Sequence, residues 1–360
     1  MLSCCIAVAA TTRAAAAVDD TAVQGANWLA SQQEDDGCWR SKTYGQMQSG
    51  VGNTALVLDA LTRMKAEWRE SHQAAIGRGF AFLLANLDDD GYISAPRHSA
   101  DYPTYATALL LSAVERVHPE RWQAERRQMR HYLLQVQRRE SKDANYYGGW
   151  SQVGGEPEDS GAKVNVNISV SRFVAEALAH KGGVPTDTSD AAQRFLERCR
   201  NPDDGGYFFV PAADDPLNKA GVGPTGAAAS YGTATADAVL ALLAWGVSPD
   251  DPQLCAAVHW LQSQRSLDIV PGFSSSRPRV VGAEQALVFY YWAAVARVMA
   301  RFPDSPLAAR RAELRGIVVR HQQPDGTWRN ANGLMREDDP LIATSLAVTA
   351  LTALDDVSRP

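Results

Sequence analysis

A phrase that recurs six times constrains this chain more than any other feature of its sequence. Each copy is a helix rich in Ala and Leu, followed by acidic residues, a glycine and an aromatic residue. The aromatic residues that end the six copies are Trp39, Tyr92, Trp150, Tyr207, Phe273 and Trp328. The glycines are Gly37, Gly91, Gly149, Gly206, Gly272 and Gly326. Their spacing, roughly 54 to 66 residues, is too long for a two-helix tetratricopeptide unit and suits two helices plus a substantial loop.

A second, more apolar phrase follows each copy of the first, as in NTALVLDAL from Asn53 and ATADAVLAL from Ala234. These segments are apolar on almost every side, which is typical of a helix buried all round. The first-phrase helices are amphipathic, with Ala22, Ala26 and Leu29 on one face. Each unit is therefore an outer helix followed by an inner one. Six such hairpins can close on themselves, so we predict an all-α (α/α)6 toroid, a single domain over residues 19–356.

The glutamine and the Gly-x-Trp of the first phrase resemble the QW repeat of squalene-hopene and oxidosqualene cyclases. The matching residues are Trp28, Gln32, Gln33, Gly37 and Trp39 in the first copy and Gln322, Gln323, Gly326 and Trp328 in the last. The second and fourth copies lack the glutamine. The resemblance covers about residues 20 to 355 and implies the toroid of the terpenoid-cyclase/protein-prenyltransferase superfamily. The repeat residues themselves are read as structural, with the glutamine bonding free carbonyls at a helix end.

Composition and the amino terminus limit the partners and the compartment. With a net charge of -6 and a pI near 5.7, no basic stripe favours nucleic acid. No apolar run approaches the roughly 20 residues that span a bilayer. Residues 1–18 include an apolar run, Leu2 to Ala10, and small residues suited to cleavage, but lack a basic start. We expect either export to the periplasm or a cytoplasmic protein.

The inner helices of a toroid run in one direction, so their amino termini meet at one mouth. The unpaired N–H groups there favour an anion such as a diphosphate or a carboxylate. The long loops 151–164, 210–228 and 274–282 lead to the same mouth, and binding sites concentrate on such loops. We therefore expect a site at the amino-terminal mouth.

Asp237 is the first candidate acid, because it lies inside an inner helix at a position that holds Leu or Phe in most of the other units. A carboxylate there is costly without a partner or water. It is either a catalytic or binding acid in the lumen or a hydrogen-bonding group between helices. Asp59 and Glu176 share another position nearer the helix end, and we interpret them as polar contacts between helices.

The resemblance implies a D-x-D-D motif that acts as a general acid on an alkene or epoxide. The nearest segment is Arg336-Glu337-Asp338-Asp339, with Arg in place of the first Asp and Pro340 where the family has Thr. Asp338 and Asp339 are therefore candidate catalytic residues. The alternative is a helix cap, with Asp339 preceding a first-turn proline.

Aromatic residues could line the lumen, because aromatic faces stabilise cations. The candidate substrate-binding residues are Tyr105, Tyr231, Tyr290, Tyr291 and Trp292. Adjacent helical positions cannot all face one way, so two of the rings in the run that begins at Phe289 would face inwards. Core packing is the alternative for any single ring.

Neither a metal nor a cofactor is predicted. The prenyltransferases of the resembling superfamily hold zinc with Asp, Cys and His, but His131, His259 and His321 all lie on predicted outer helices. No phosphate-binding glycine loop stands out either.

Three functions remain open from the sequence. The first is isoprenoid cyclisation or isoprenoid binding in the lumen, with a hydrophobic small molecule as ligand. The second is a non-catalytic binding or scaffold toroid. The third is a carbohydrate-active enzyme that uses Asp237 and Glu284 across a groove. No partner subunit can be named.

Overall fold

The structure, a computed structural model, describes residues 21–93, 102–152, 165–180, 183–223, 225–273 and 278–356. The predicted leader, residues 1–18, lies outside the described residues. So do parts of the three long loops that the sequence assigned to the amino-terminal mouth.

Twelve long helices alternate between an outer and an inner layer in the described part of the chain. The outer helices are α1 (residues 21–31), α4 (Gln73–Ala85), α6 (Gln123–Gln135), α8 (Thr186–Arg198), α10 (Pro252–Gln262) and α13 (Arg311–Arg320). The inner helices are α2 (Val51–Thr62), α5 (Pro103–Val117), α7 (Ile168–Ala179), α9 (Gly232–Ala244), α12 (Val288–Arg301) and α14 (Pro340–Asp355). Two short helices are also present: α3 (Ala66–Ser71) lies between the first and second units, and α11 (Ala283–Ala286) lies within the fifth.

The inner helices form a closed ring. Each packs against the next in the order α2, α5, α7, α9, α12 and α14, and α14 returns to pack against α2. Every residue of α2 is buried, whereas α8 buries one stripe that includes Ala192, Phe195 and Leu196. This difference follows from the sequence, because only a helix with neighbours on all sides can be apolar all round. The predicted (α/α)6 toroid is confirmed.

In the first and last units, the tryptophan and glutamine of the repeat bind the turn to the helices around it. In the first unit, Trp39 Nε1 donates to the carbonyl of Leu29, at the end of its own outer helix (2.6 Å). Gln33 Nε2 donates to the carbonyls of Gly37 and Ala75, both at 2.8 Å, and Ala75 lies in the first turn of the next outer helix. Gly37 has a φ of 90°, and a side chain there would collide with the backbone of α4.

The same contacts close the ring between the last unit and the first. Trp328 Nε1 donates to the carbonyl of Val318 (2.8 Å). Gln322 Nε2 donates to the carbonyls of Gly326 (3.0 Å) and Thr21 (3.2 Å), and Thr21 belongs to α1. A glutamine from one unit thus binds the next outer helix even where the two units are the ends of the chain.

Candidate functional site

The lumen of the toroid holds two groups of buried polar side chains. We call Ser169, Arg172, Asp237 and Tyr290 the Asp237 cluster. We call Asp59, Arg63, Arg116, Glu176 and Arg297 the arginine cluster. The first lies in the amino-terminal half of the inner helices, and the second lies towards their carboxyl ends.

Asp237 is fully buried on α9 and is surrounded by hydrogen-bond donors. Ser169 Oγ donates to Oδ2 at 2.5 Å, and the Tyr290 hydroxyl lies 2.9 Å from the same oxygen. Arg172 Nε donates to Oδ1 at 3.1 Å. Burial raises the pKa of Asp237, while Arg172, Ser169 and Tyr290 act in the opposite direction. Of the two interpretations from the sequence, this geometry matches a carboxyl group that joins α9 to α7 and α12.

Of the predicted rings, Tyr290 belongs to this cluster and Tyr105 lies near it. Tyr105 packs edge to face against Phe173 with 4.7 Å between ring centroids, and Phe173 lies 6.4 Å from the ring of Tyr290. The Arg172 guanidinium lies 3.7 Å from the centroid of Phe173, within cation–π distance. Phe173 was not among the predicted rings, although it occupies the helical position equivalent to Asp237.

The other three predicted rings lie in the wall of the toroid and not in its lumen. Tyr231 stands at the N-cap position of α9, without a capping hydrogen bond from its side chain, and packs against Phe273. The Tyr291 ring lies against Gly232, and Trp292 Nε1 donates to the carbonyl of Leu267, just beyond the outer helix α10 (2.7 Å). Successive residues of a helix point about 100° apart, so Tyr290 faces inwards and its neighbours cannot.

Asp338 and Asp339 lie at the amino-terminal mouth and are both engaged. Asp339 caps α14, accepting from the Leu341 N–H at 2.9 Å, and it also accepts from the hydroxyl of Ser41. Asp338 accepts from the Tyr44 hydroxyl at 2.5 Å. These contacts join the last unit to the first, and Asp339 has the capping position that the sequence offered as the alternative to catalysis.

Glu337 is a buried carboxyl group that the sequence analysis did not single out. It accepts from the backbone N–H groups of Phe289 (3.0 Å) and Tyr290 (2.8 Å) and from Asn330 Nδ2 (3.2 Å). Burial raises its pKa to about 8. Glu337 thus caps α12, whose own N-cap residue, Leu287, has no side-chain acceptor. An apolar residue at the start of a helix indicates that the cap must come from elsewhere, and Leu287 was the one indication of this cap in the sequence.

In the arginine cluster, Asp59 binds two guanidiniums. Arg63 Nη2 lies 2.9 Å and Arg116 Nη2 lies 3.0 Å from Asp59 Oδ1. Arg116 Nη1 also donates to the Thr62 hydroxyl at 2.6 Å. Burial alone would raise the pKa of Asp59, but the Arg63 and Arg116 charges hold it well below its usual range. Asp59 is therefore a contact between α2 and α5, as expected from the sequence.

Glu176 binds a second pair of guanidiniums. Arg297 Nη2 lies 2.7 Å from Oε1, and Arg172 Nη1 lies 3.1 Å from Oε2. Burial alone would raise the pKa of Glu176, but the Arg297 and Arg172 charges outweigh it and lower that pKa to about 2. Because Arg172 also binds Asp237, it links the two clusters.

A cavity of about 860 Å³ opens at the carboxyl ends of the inner helices. Five of the inner helices contribute to its lining, together with Arg63 just beyond the end of α2. The lining includes Arg116, Glu176, Leu240 and Arg297. The candidates from the sequence, namely Tyr105, Asp237, Tyr290, Asp338 and Asp339, are not among the described residues that line it. The cavity therefore lies at the mouth opposite to the amino-terminal mouth. The sequence predicted a site at the amino-terminal mouth and none at this one.

Within the described residues, one grouping could hold a metal ion by distance alone: Glu34, Asp36 and Cys38. Arg40 pairs with both carboxylates at 2.6 Å, so its guanidinium already neutralises them. No helix among the described residues is long and apolar enough to cross a membrane.

Comparison with known proteins identifies the fold. No protein-family model and no curated protein matches the sequence. A variant of the type II terpene cyclase MstE from Scytonema, solved with geranylgeranyl dihydroxybenzoate, is similar with a TM-score of 0.62, 15% identity and coverage of 94% of this chain and 97% of that one. A family 76 glycoside hydrolase from a bovine Bacteroides thetaiotaomicron strain is similar with a TM-score of 0.61 and 11% identity, and the match covers 94% of this chain and 77% of that one. A protein from Actinoplanes is similar with a TM-score of 0.58 and 19% identity, and the match covers 94% of this chain and 99% of that one. The chain has a terpenoid-cyclase-like toroidal fold.

Proposed function

We propose that this chain is a receptor for a hydrophobic small molecule of the isoprenoid class, bound in the cavity at the carboxyl ends of the inner helices. In this proposal the toroid binds its ligand without protonating it. The observation that carries the proposal is the position of the cavity, which contains neither Asp237 nor the two candidate acids of the last unit among its described lining residues.

The cavity has the size and the apolar surface that such a ligand needs. Its volume of about 860 Å³ lies within the range of roughly 300 to 1,000 Å³ that is usual for small-molecule sites. Val23, Met64, Trp68, Leu240 and Ala244 are among its apolar lining residues. Burying each methylene of an isoprenoid chain against such a surface contributes about 0.8 kcal/mol.

The similar cyclase supports this ligand class. MstE has been solved with geranylgeranyl dihydroxybenzoate as substrate and with merosterolic acid A as product. At 15% identity the likeness concerns the fold, so the ligand class is carried to this chain only as part of the proposal.

The carboxyl group of Glu176, one of four that line the cavity, does not suit protonation of a ligand. A general acid must be neutral at the working pH and must reach the atom that it protonates. Glu176 lines the cavity, but its pKa of about 2 keeps it ionised. Asp237, whose pKa is raised, already accepts from donors on two neighbouring helices.

The carbohydrate-active alternative would need two open carboxyl groups across a groove. Asp237 is enclosed by its donors. Glu284, in the first turn of α11, has Oε2 buried away from solvent. Because Asp237 is closed to solvent, this pair cannot offer two open carboxyl groups, and we do not propose this activity.

Filling the cavity tests the proposed function. Ala244→Trp places a large ring in the cavity, and the matched control, Ala81→Trp, changes an exposed residue of α4. We expect geranylgeraniol to bind the wild type and the control equally in native mass spectrometry, and at least tenfold more weakly to Ala244→Trp. Leu240→Phe is a second cavity variant should Ala244→Trp fail to fold.

Two results would overturn the proposal. The first is wild-type protein that binds no geranylgeraniol, or binding that neither cavity variant weakens. The second is conversion of geranylgeraniol to a cyclised product, detected by gas chromatography with mass spectrometry, because the proposal contains no proton donor.

A further inference from the structure

Among the residues that the structure describes, the lumen contains more positive than negative side chains. Its guanidiniums are those of Arg63, Arg116, Arg172 and Arg297, and its carboxyl groups are those of Asp59, Glu176 and Asp237. The four guanidiniums therefore share three carboxyl groups. Such an excess is costly in a buried region, where water screens charges poorly.

The shared carboxylates leave the guanidiniums incompletely neutralised. Asp59 divides its charge between Arg63 and Arg116, and Glu176 divides its charge between Arg172 and Arg297. Burial lowers the pKa of Arg63, and the neighbouring Arg116 charge lowers it further. The guanidiniums repel one another as well as binding the two carboxylates.

Three of these guanidiniums are reachable from the cavity. The side chains of Arg63, Arg116 and Arg297 are 19%, 21% and 17% exposed, and all three line it. Arg172, at 4% exposed, is closed off. Arg301 lines the cavity nearer the rim and makes no ion pair within the described part of the chain.

The acidic residues of the cavity lining offset this charge only in part. Asp355 pairs with Arg315 of the outer layer, and Glu176 is occupied by its guanidiniums. Glu67 and Asp356 are exposed at the rim. The helix carboxyl ends at this mouth also carry partial negative charge, so without the arginines the mouth would repel an anion.

We infer that the arginine cluster is an oxyanion site, and that Arg63, Arg116 and Arg297 bind the carboxylate or phosphate head of an amphipathic isoprenoid whose chain lies along the apolar wall. This inference rests on the proposed function and adds the chemical class of the ligand. Guanidiniums suit both oxyanions, because their planar forks form paired, charge-assisted hydrogen bonds. A bound anion would remove the excess positive charge of the lumen.

The test compares three probes with the same chain and different heads: farnesol, farnesoic acid and farnesyl monophosphate. We expect at least one of the two anionic probes to bind the wild type ten or more times as tightly as farnesol by calorimetry. The stronger anion identifies the head group. Its affinity should fall with added sodium chloride, whereas that of farnesol should not.

Two substitutions should move the anion affinity in opposite directions. Arg116→Met leaves Asp59 paired with Arg63 and should weaken the anionic probe about tenfold without changing farnesol. Asp59→Asn releases both arginines from a negative charge and should strengthen the anionic probe. Arg127→Met, an exposed arginine of α6, is the control and should change neither.

The outcomes separate the two proposals. If farnesol binds as tightly as both anionic probes, and Arg116→Met changes none of them, the oxyanion site is refuted while the receptor stands. If no probe binds the wild type, the proposed receptor itself is refuted. Arg63→Met, which leaves Asp59 paired with Arg116, repeats the test should Arg116→Met fail to fold.

Discussion

The Asp237 cluster and the arginine cluster lie in one lumen, share Arg172, and both bury charged side chains. In the Asp237 cluster, one carboxyl group accepts from Ser169, Arg172 and Tyr290, so its acceptors are occupied within the protein. In the arginine cluster, Asp59 and Glu176 each bind two guanidiniums, and the cavity opens beside them. The carboxyl group of the Asp237 cluster is thus satisfied without a ligand, whereas the arginine cluster keeps positive charge that an anionic ligand could neutralise.

This difference shows that burial of a polar group is a poor guide to a binding site unless its partners are counted. Asp237 stands out in the sequence because its helix is otherwise apolar, yet that helix can bury it only because donors on α7 and α12 satisfy it. Arg63 and Arg116 stand out less, since they lie at helix ends. They nevertheless line the open cavity.

The largest expected effect is on the arginine cluster itself. Glu176→Gln should lower the free energy of unfolding by roughly 3 to 5 kcal/mol, because Arg172 and Arg297 lose their shared charge while still buried. Urea unfolding measures it, with Glu197→Gln, an exposed residue of α8, as the control that should change little. Equal stability of the two variants would contradict the account of a strained, buried charge excess.

Asp237→Asn tests whether the Asp237 cluster serves stability and not ligand binding. It should cost about 2 kcal/mol of unfolding free energy, since hydrogen bonds to a charged group contribute roughly 1.5 to 3 kcal/mol each and the amide keeps part of them. Ligand affinity at the cavity should not change, because Asp237 is not among the described lining residues. Loss of binding in a folded Asp237→Asn protein would restore this residue to the site.

The buried cap on α12 predicts a pH dependence. The pKa of Glu337 is about 8 in the folded protein against an ordinary value of 4.5, so the folded state holds the proton more tightly. Its contribution to stability is complete below about pH 4.5 and is lost as pH rises towards 8. Between pH 6 and 7 this loss is about 1.4 kcal/mol. Glu337→Gln should remove it, measured by urea unfolding at both pH values; an unchanged slope would contradict the raised pKa.

The smallest expected effect is that of Tyr290→Phe. The variant keeps the ring and removes one donor to Asp237, so we expect a loss of about 1 kcal/mol in the free energy of unfolding. Tyr105→Phe is the matched control, because no hydrogen bond of its hydroxyl is part of the Asp237 cluster. A ligand affinity that falls in Tyr290→Phe alone would place the ligand in the amino-terminal half of the lumen.

The sequence predicted the architecture because the information for it is local and repeated. Helix periodicity separated the outer from the inner helices, and six copies implied closure. Capping residues also follow local rules, and Asp251 and Asp339 cap the helices that begin at Pro252 and Pro340. Such features need no knowledge of how distant segments meet.

The site was harder to predict because its contacts run between distant segments. Asp59 and Arg63, like Arg172 and Glu176, are four residues apart on apolar helices, which was a usable local signal. The pairing of Glu176 with Arg297, 121 residues away, follows only from the ring geometry. The aromatic run on α12 is a similar case, because the rotation of α12 decides which of its rings faces inwards. Glu337, which belongs to another unit, helps to fix that rotation.

The most direct test of the account is a crystal structure of the protein with a farnesoic acid analogue that carries bromine at the far end of its chain. The account predicts the carboxylate within about 4 Å of the guanidinium of Arg63, Arg116 or Arg297, and anomalous signal from bromine along the wall formed by Leu240 and Ala244. A carboxylate beside Asp237 and Tyr290, or a ligand bound at the amino-terminal mouth, would contradict it.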